Sequence, residues 1–352
     1  MNLRSATKEE STKIIALATR VFKPNMGQQF IRLFSPNNHN HQMIAEDQGN
    51  IIAAVNYFPT DVDTSIGVLS VASIGAVCTE DAYRGQGISS KLLYLAEETM
   101  KEEHIDFCII SGDGPLYQRF GAKNVGAMNR YIIKDAQPDN GIDIRRFQGG
   151  PNTLYPIYEK ETIKYHRTID EFIDLFTAQT YPDNYQSYPV YTVFRDHQII
   201  SYIILVHHPK AKLLSIKEYA GDRESIIRSL PFLTKHYKKE GVELTTPIHD
   251  DIQSFINENR ERITQHATLK IIDEEGLLSK INRYCQTKQV PIKIDKTKDT
   301  YVISIENASY RLDLNQLHAL IFSGIIPEDI PHTWFDQLFP IELPWSHNLN
   351  YQ

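Results

Sequence analysis

The stretch Ile74-Gly75-Ala76-Val77-Cys78-Thr79-Glu80-Asp81-Ala82-Tyr83-Arg84-Gly85-Gln86-Gly87-Ile88-Ser89-Ser90-Lys91-Leu92-Leu93-Tyr94-Leu95-Ala96-Glu97-Glu98-Thr99-Met100 decides the fold. Residues 68–77 are rich in branched apolar side chains, with small positions that let another backbone approach, and read as a strand. Arg84-Gly85-Gln86-Gly87 then turns the chain. Leu92, Leu93, Leu95, Ala96, Thr99 and Met100 fall on one broad apolar side at helical spacing and predict an amphipathic helix. Strand, glycine loop and helix N-terminus together make an anion site. The first N–H groups of a helix have no intrahelical partner, and the dipole adds partial positive charge where they point. The loop lacks the Gly-Lys-Ser/Thr ending of a nucleoside-triphosphate loop. It also follows an internal strand instead of opening a first βαβ unit with an acidic ribose partner. A plain tight turn is the alternative reading of the two glycines.

Arg84-Gly85-Gln86-Gly87-Ile88-Ser89 resembles the Arg/Gln-x-x-Gly-x-Gly/Ala signature of the GNAT acyl-CoA-dependent N-acyltransferases. Ser89 departs from Gly/Ala at the last position but stays small. Downstream, a strand at 106–111 precedes Pro115-Leu116-Tyr117-Gln118-Arg119-Phe120-Gly121-Ala122, which resembles the family's Leu-Tyr-x-x-x-Gly-Phe helix end. The order β-α-α-β-β-β-α-β-α-β over about the first 135 residues is similar to the order in that family.

The chain has 352 residues, enough for two or three domains. At 41% hydrophobic and 23% charged, its composition is that of an ordinary soluble globular protein. No apolar run approaches the roughly 20 residues of a membrane span, and no signal-peptide core follows Met1. The three cysteines, Cys78, Cys108 and Cys285, show no paired spacing; this suits a reducing cytoplasm and argues against structural zinc. A net charge of −7 disfavours a nucleic-acid binder and mildly favours a cationic, amine-bearing substrate.

Along the chain, residues 3–6 read as a strand, 8–22 and 26–34 as helices, and 43–58 as a hairpin through Gln48-Gly49. Residues 124–133 read as the strand that closes the first copy. After a linker at 134–140, a weaker copy of the same unit follows. It has a strand at 142–147, helices at 153–165 and 169–177, a hairpin at 190–206, a strand at 212–219, a helix at 224–239 and a strand at 242–246. Where the first copy has Arg-Gly-Gln-Gly, the second has Glu218-Tyr219-Ala220-Gly221-Asp222-Arg223, and Asp222 reads as a helix N-cap. The second copy is therefore expected to be catalytically silent. Leu269 to Leu278 opens a third region, which carries a hairpin around Asn307-Ala308 and a helix at 314–322 ended by Ser323-Gly324. This layout resembles the sterol-carrier-protein-like last domain of the enhanced intracellular survival family, tandem GNAT proteins that acetylate amines, including aminoglycosides in some members. The fold expected is thus α/β (α+β), with two GNAT-like mixed-sheet domains in tandem and a small sterol-carrier-like domain. The divisions fall at 1–135 (catalytic), 141–273 (degenerate) and 274–352 (trimmed, with a tail).

The resemblance implies acetyl-CoA as co-substrate, a small amine as acceptor and no metal. It also leaves room for a homo-oligomer. It places the pyrophosphate at Arg84, Gly85, Gln86, Gly87, Ile88, Ser89 and Ser90, and the pantetheine along Val77, Cys78 and Thr79. Tyr117 matches the family's general acid, and a phenol near pKa 10 suits protonation of a departing thiolate. A packing tyrosine is the alternative. Glu80 and Asp81 read as solvated or capping residues. In the enhanced intracellular survival family the terminal carboxylate enters the active site as base, which here implies Gln352. The tail Leu343-Pro344-Trp345-Ser346-His347-Asn348-Leu349-Asn350-Tyr351-Gln352 is apolar enough to dock, and a merely structural tail is the competing reading. Two further functions stay open: a non-catalytic acyl-CoA or amine-binding module, and a protein-lysine acetyltransferase.

Overall fold

A computed structural model of the chain describes every residue except Lys23, Asn140, Asp183, Asn184, Asp299, His332 and Gln352. It divides into two compact units: Met1–Ala127 with Thr264–Ser346 and Tyr351, and Met128–Ile263 with His347–Asn350. The first unit opens with β1 (Asn2–Ser5), α1 (Ser11–Val21), α2 (Met26–Gln29), β2 (Gln42–Asp47), β3 (Asn50–Thr64) and β4 (Gly67–Thr79). It continues through α3 (Ile88–Glu102), β5 (Phe107–Ile110) and α4 (Pro115–Phe120). The second unit holds β6 (Met128–Ile133), β7 (Asp143–Arg146), α5 (Tyr155–Tyr158), β8 (Lys164–Tyr165) and α6 (Ile169–Gln179). It then runs through β9 (Val190–Arg195), β10 (Gln198–Val206), β11 (Leu213–Gly221), α7 (Arg223–Tyr237), β12 (Gly241–Thr246) and β13 (Glu261–Ile263). The chain returns to the first unit with β14 (Thr268–Ile271), α8 (Glu274–Lys288), β15 (Ile292–Thr297), β16 (Thr300–Ile305), β17 (Ala308–Leu312) and α9 (Leu314–His318).

The main sheet of the first unit runs β1-β2-β3-β4-β5-β14. Only β4 and β5 are parallel, as the crossover through α3 requires. Leu92, Leu93, Ala96 and Met100 of α3 bury one face of this sheet against Met43, Ala45 and Val55. Ile14, Leu17 and Ala18 of α1 cover the other face, against Ile44, Ala54 and Cys78. The sheet of the second unit runs β13-β6-β12-β11-β10-β9-β7 and repeats the plan, with one parallel pair, β11 and β12, joined through α7. Mixed sheets flanked by helices bear out the α/β class and the tandem arrangement.

Several elements differ from expectation. The strand expected at 124–133 forms at Met128–Ile133, where it pairs antiparallel with β12 and β13 in the second unit. In the first unit β14 takes the outer edge of β5, in register from Thr268 opposite Ile110 to Ile271 opposite Phe107. Each parallel strand thus gains an antiparallel cover, and local sequence cannot say which of two similar strands supplies it. The helix expected at 153–165 shrinks to Tyr155–Tyr158, and Glu161 beyond its end bonds Gly221 and Arg223. The helix expected at 26–34 stops at Gln29, where Phe30 leaves helical geometry.

One histidine holds the edge of the first sheet. His318, 1% exposed, accepts a hydrogen bond on Nε2 from the Ile271 N–H (3.1 Å), while its Nδ1 sits 2.7 Å from the Leu314 carbonyl. Those two partners fix the neutral tautomer with the proton on Nδ1. Burial pushes its pKa below the ordinary 6.5, helped by Lys123 and Lys270 and opposed by the bond to the Leu314 carbonyl and by Glu274. The folded state therefore favours the neutral ring. Its stability contribution is complete above pH 6.5 and is lost as pH falls through the lowered value. Thermal melts between about pH 7.5 and 5 are expected to show a steeper loss of Tm in the wild type than in His318→Gln, which retains an acceptor without a titrating ring. Parallel slopes would show that protonation of this ring is not coupled to folding.

Candidate active site

The site grows from a defect in β4. Between Ala54 and Asn56 of β3 the register slips by one residue, so that β4 bulges where Ala76 takes a left-handed φ of 51°. The Asn56 amide donates to the Ala76 carbonyl at 3.2 Å and holds the bulge in place. Residues four apart in an unbroken strand share a face. Here the extra residue puts Ile74 in the α3-side core and Cys78 in the α1-side core. Pairing with β5 is confined to Val71–Ile74, so the β4 edge from Val77 to Thr79 is open on that side.

The chain then enters the loop. Gly85 and Gly87 have φ of 79° and 72°, and a Cβ added at either would meet nothing within 4 Å. Neither position is crowded by neighbouring atoms. Gly87 is the N-cap of α3 but supplies no capping side chain. Lys91 is the first N–H of the helix to find a carbonyl partner, that of Gly87 at 3.2 Å. The N–H groups of Ile88, Ser89 and Ser90 therefore start a 15-residue helix with no cap, the arrangement that receives an anion. The Ser89 hydroxyl lies 2.7 Å from that of Thr79, tying the helix start to the strand end. Arg84 is exposed; it donates to the Thr79 carbonyl (3.3 Å) and pairs with Asp81 (2.8 Å).

These elements enclose a cavity of about 600 Å3 lined by Val77, Cys78, Thr79, Arg84, Gly85, Gly87, Ile88, Ser89, Ser90 and Tyr117, among others. Gln86 is not among the lining residues; its amide turns back toward the Ala82 carbonyl at 3.5 Å. Gln352 lies outside the described residues. Sequence reasoning missed Val21 and Phe22 at the end of α1, and also Tyr83, Leu116 and Arg119. Phe22 carried no separate signal, because helical spacing aligns it with the apolar side of α1, whereas the structure leaves it half-exposed. Glu80 is paired with Arg20.

Tyr117 sits in α4, a six-residue helix started by Pro115 and closed by Gly121 in left-handed geometry. Its half-buried ring lies so close to Gly112 that a Cβ there would come within 2.7 Å of Cε2. The Gly112 carbonyl accepts a 2.7 Å hydrogen bond from the Thr268 hydroxyl, so β14 fixes the loop that seats the ring. Burial, and secondarily Cys78, push the Tyr117 hydroxyl above its ordinary value of 10. Burial likewise raises the Cys78 thiol to about 12, which keeps it a packing group and not a nucleophile.

The equivalent place in the second unit is closed by its own side chains. Asp222 accepts from the Ser225 N–H at 2.8 Å and caps α7. The Glu161 carboxylate accepts from the Gly221 N–H at 2.8 Å and from Arg223 at 2.9 Å, and Asp250 holds the other side of Arg223 at 2.9 Å. An incoming anion would meet three carboxylates there. No group of three or more His, Cys, Asp or Glu residues suited to a metal occurs among the described residues. No helix among them is long and apolar enough to cross a membrane.

Comparison with known proteins agrees with this geometry. Residues 2–125 match the acetyltransferase (GNAT) domain family. Over 76 residues the chain is 30% identical to the uncharacterized N-acetyltransferase YhbS of Escherichia coli (strain K12), a match spanning 22% of this chain and 44% of that protein. The chain thus spans less than half the length of this curated relative. Eis1 from Mycobacterium abscessus shares the fold over 99% of this chain and 100% of its own, with a TM-score of 0.67 at 12% identity. A GCN5-related N-acetyltransferase from Anabaena variabilis does so over 92% and 90%, with a TM-score of 0.64 at 11% identity.

If the cradle holds pyrophosphate, acetyl-CoA raises the Tm of the wild type, since a ligand of the native state stabilises it by mass action. Gly87→Val is expected to abolish that shift, because the side chain fills the open space and strains a left-handed position. A full shift in this variant would move the cofactor elsewhere.

Proposed function

We propose that the protein is an acetyl-CoA-dependent N-acetyltransferase that moves an acetyl group by direct transfer to a primary amine of a small, cationic, aminoglycoside-like substrate. The observation that carries this reading is that an uncapped helix start beside two glycines and a half-buried, protonated tyrosine line one cavity. Within it, residues 1–135 are assigned the catalysis, 141–273 a degenerate copy, and 274–352 a trimmed sterol-carrier-like domain with a tail. The net charge of −7 supports a cationic acceptor.

When bound, acetyl-CoA supplies an activated thioester. The N–H groups of Gly85 to Ser90 receive its pyrophosphate, and the open β4 edge at Val77–Thr79 receives its amides. The Tyr117 hydroxyl holds the proton for the leaving thiolate. Because burial raises its pKa, that proton is in place throughout the neutral range. The base that takes the amine's proton is assigned to the terminal carboxylate of Gln352. Support comes from the tail leading to it: Leu343 and Leu349 are buried, and the Tyr351 ring lies 6.4 Å from that of Phe30 in the first unit.

The deciding experiment is release of free thiol from acetyl-CoA across a panel of aminoglycosides, polyamines and amino-acid amides. Saturable release with at least one amine is expected, and none with any would leave a binding module. Tyr117→Phe is expected to lower kcat by roughly 10²–10⁴-fold with the acetyl-CoA thermal shift intact. Gly112→Ala should reproduce part of that loss by displacing the ring. With Tyr117 as the acid, turnover rises with pH as the amine deprotonates and shows no fall below about pH 10, the sign set by the raised phenol. An alkaline loss near neutrality would name another acid. Several glycines appended after Gln352 are expected to impair turnover strongly, whereas Gln352→Ala retains it. Wild-type rates in the extended protein would leave the tail a structural element only.

A further inference from the structure

The core of the second unit contains an ion pair that its packing does not require. Arg167 has a side chain with no exposure and faces Glu218 in a bidentate pair, with Nη1 to Oε1 at 3.0 Å and Nη2 to Oε2 at 2.7 Å. Its guanidinium carbon stands 4.1 Å from the centre of the Tyr158 ring. The Tyr202 hydroxyl donates to Glu218 Oε1 at 2.9 Å. Burying two charges is costly, and apolar residues of similar volume often serve stability as well or better. What such a pair adds is direction, through the hydrogen-bonding positions left over after pairing.

Two of those positions are taken by residues near the end of the chain. Arg167 Nε donates to the Asn350 side-chain oxygen at 2.7 Å, and Glu218 Oε2 accepts from the Leu349 backbone N–H at 3.3 Å. Leu349 itself is fully buried in the cluster containing Leu154, Phe172 and Tyr202. Asn348 shapes the approach, its side-chain oxygen accepting from the Asn350 N–H at 2.8 Å. The apolar anchor Leu349 is thus flanked by one charged donor and one charged acceptor, each giving the stronger, charge-assisted kind of hydrogen bond.

We propose that Arg167 and Glu218 form an internal peptide-docking site in the second unit whose ligand is the chain's own segment His347–Asn350. The site reads a leucine side chain, the N–H of that leucine, and the amide of the following asparagine. A unit closed to anions at α7 thereby carries a binding function of its own. The tail, held at an effective concentration in the millimolar range, keeps the site filled. This assignment does not depend on acetyl transfer.

Carboxypeptidase digestion of the full-length native protein, followed by mass spectrometry, tests it. Trimming of the wild type is expected to stall before Asn350, where docking begins. Arg167→Lys keeps the charge but loses the Nε donor and the planar fork, and Asn350→Ala removes the acceptor. Each is expected to let trimming pass residue 350 about 10- to 100-fold faster, the factor for losing a charge-assisted hydrogen bond. The Tm of Asn350→Ala should stay within a few degrees of wild type, so that release is not global unfolding. Should Arg167→Lys fail to fold, Asn350→Ala and hydrogen exchange at the Leu349 amide decide alone. Passage through residue 350 at one rate in the wild type and Asn350→Ala, or a fast-exchanging Leu349 amide in the wild type, would overturn the site.

Discussion

Everything at the candidate active site depends on the point where β4 stops pairing with β5. The ladder ends at Ile74 and Ile110, and one extra residue at Ala76 then reorients the rest of β4. An interior strand of a mixed sheet normally has both edges used, and leaving one open costs the hydrogen bonds of those amides unless something else takes them. The bulge confines that opening to Val77–Thr79 and brings Cys78 to the wall of the cavity. The same divergence makes room for the glycine turn and the uncapped start of α3. A strand defect, an open edge and a glycine loop with an uncapped helix start are therefore one feature seen at three places.

The two units differ at the helix starts that follow their parallel strands. Both place a helix after the strand that enters a parallel pair. In α3 the cap is a glycine and the first N–H groups are left for a ligand; in α7 the cap is Asp222, and Glu161 occupies the Gly221 N–H. The substitutions are local, but their consequence is electrostatic. Carboxylates neutralise the positive helix end in the second copy and repel any phosphate. Gly221 is still needed there, because a Cβ would stand 2.2 Å from the Ile200 carbonyl oxygen. The glycine has kept its packing role, while the charges beside it deny an anion the helix end.

Long-range contacts set the precision of the first site. Thr268 lies 156 residues beyond Gly112, yet its hydroxyl fixes the carbonyl of the loop on which the Tyr117 ring rests. His318 in turn holds β14 through the Ile271 N–H. Lys270, in the same strand, reaches Glu97 of α3 at 2.5 Å and lies 3.8 Å from the centre of the Phe120 ring in α4. One short strand thus ties together the helix with the anion cradle and the helix with the candidate acid.

The sequence by itself determined the elements whose signals are local. The apolar stripe of α3, the Gly85–Gly87 turn, the α4 end at Gly121 and the Asp222 cap each follow from a few adjacent residues, and they fix the α/β class and most of the glycine-loop wall of the cavity. Tertiary structure alone decided which strand covers β5, because Met128–Ile133 and Thr268–Ile271 are both short apolar strands and pairing depends on the edge each meets. It also decided that Glu161 bonds Arg223, that Ala76 bulges, and that Gly112 seats Tyr117. Each of these depends on atoms distant in sequence coming within a few ångströms, and periodicity along a chain carries no record of such distances.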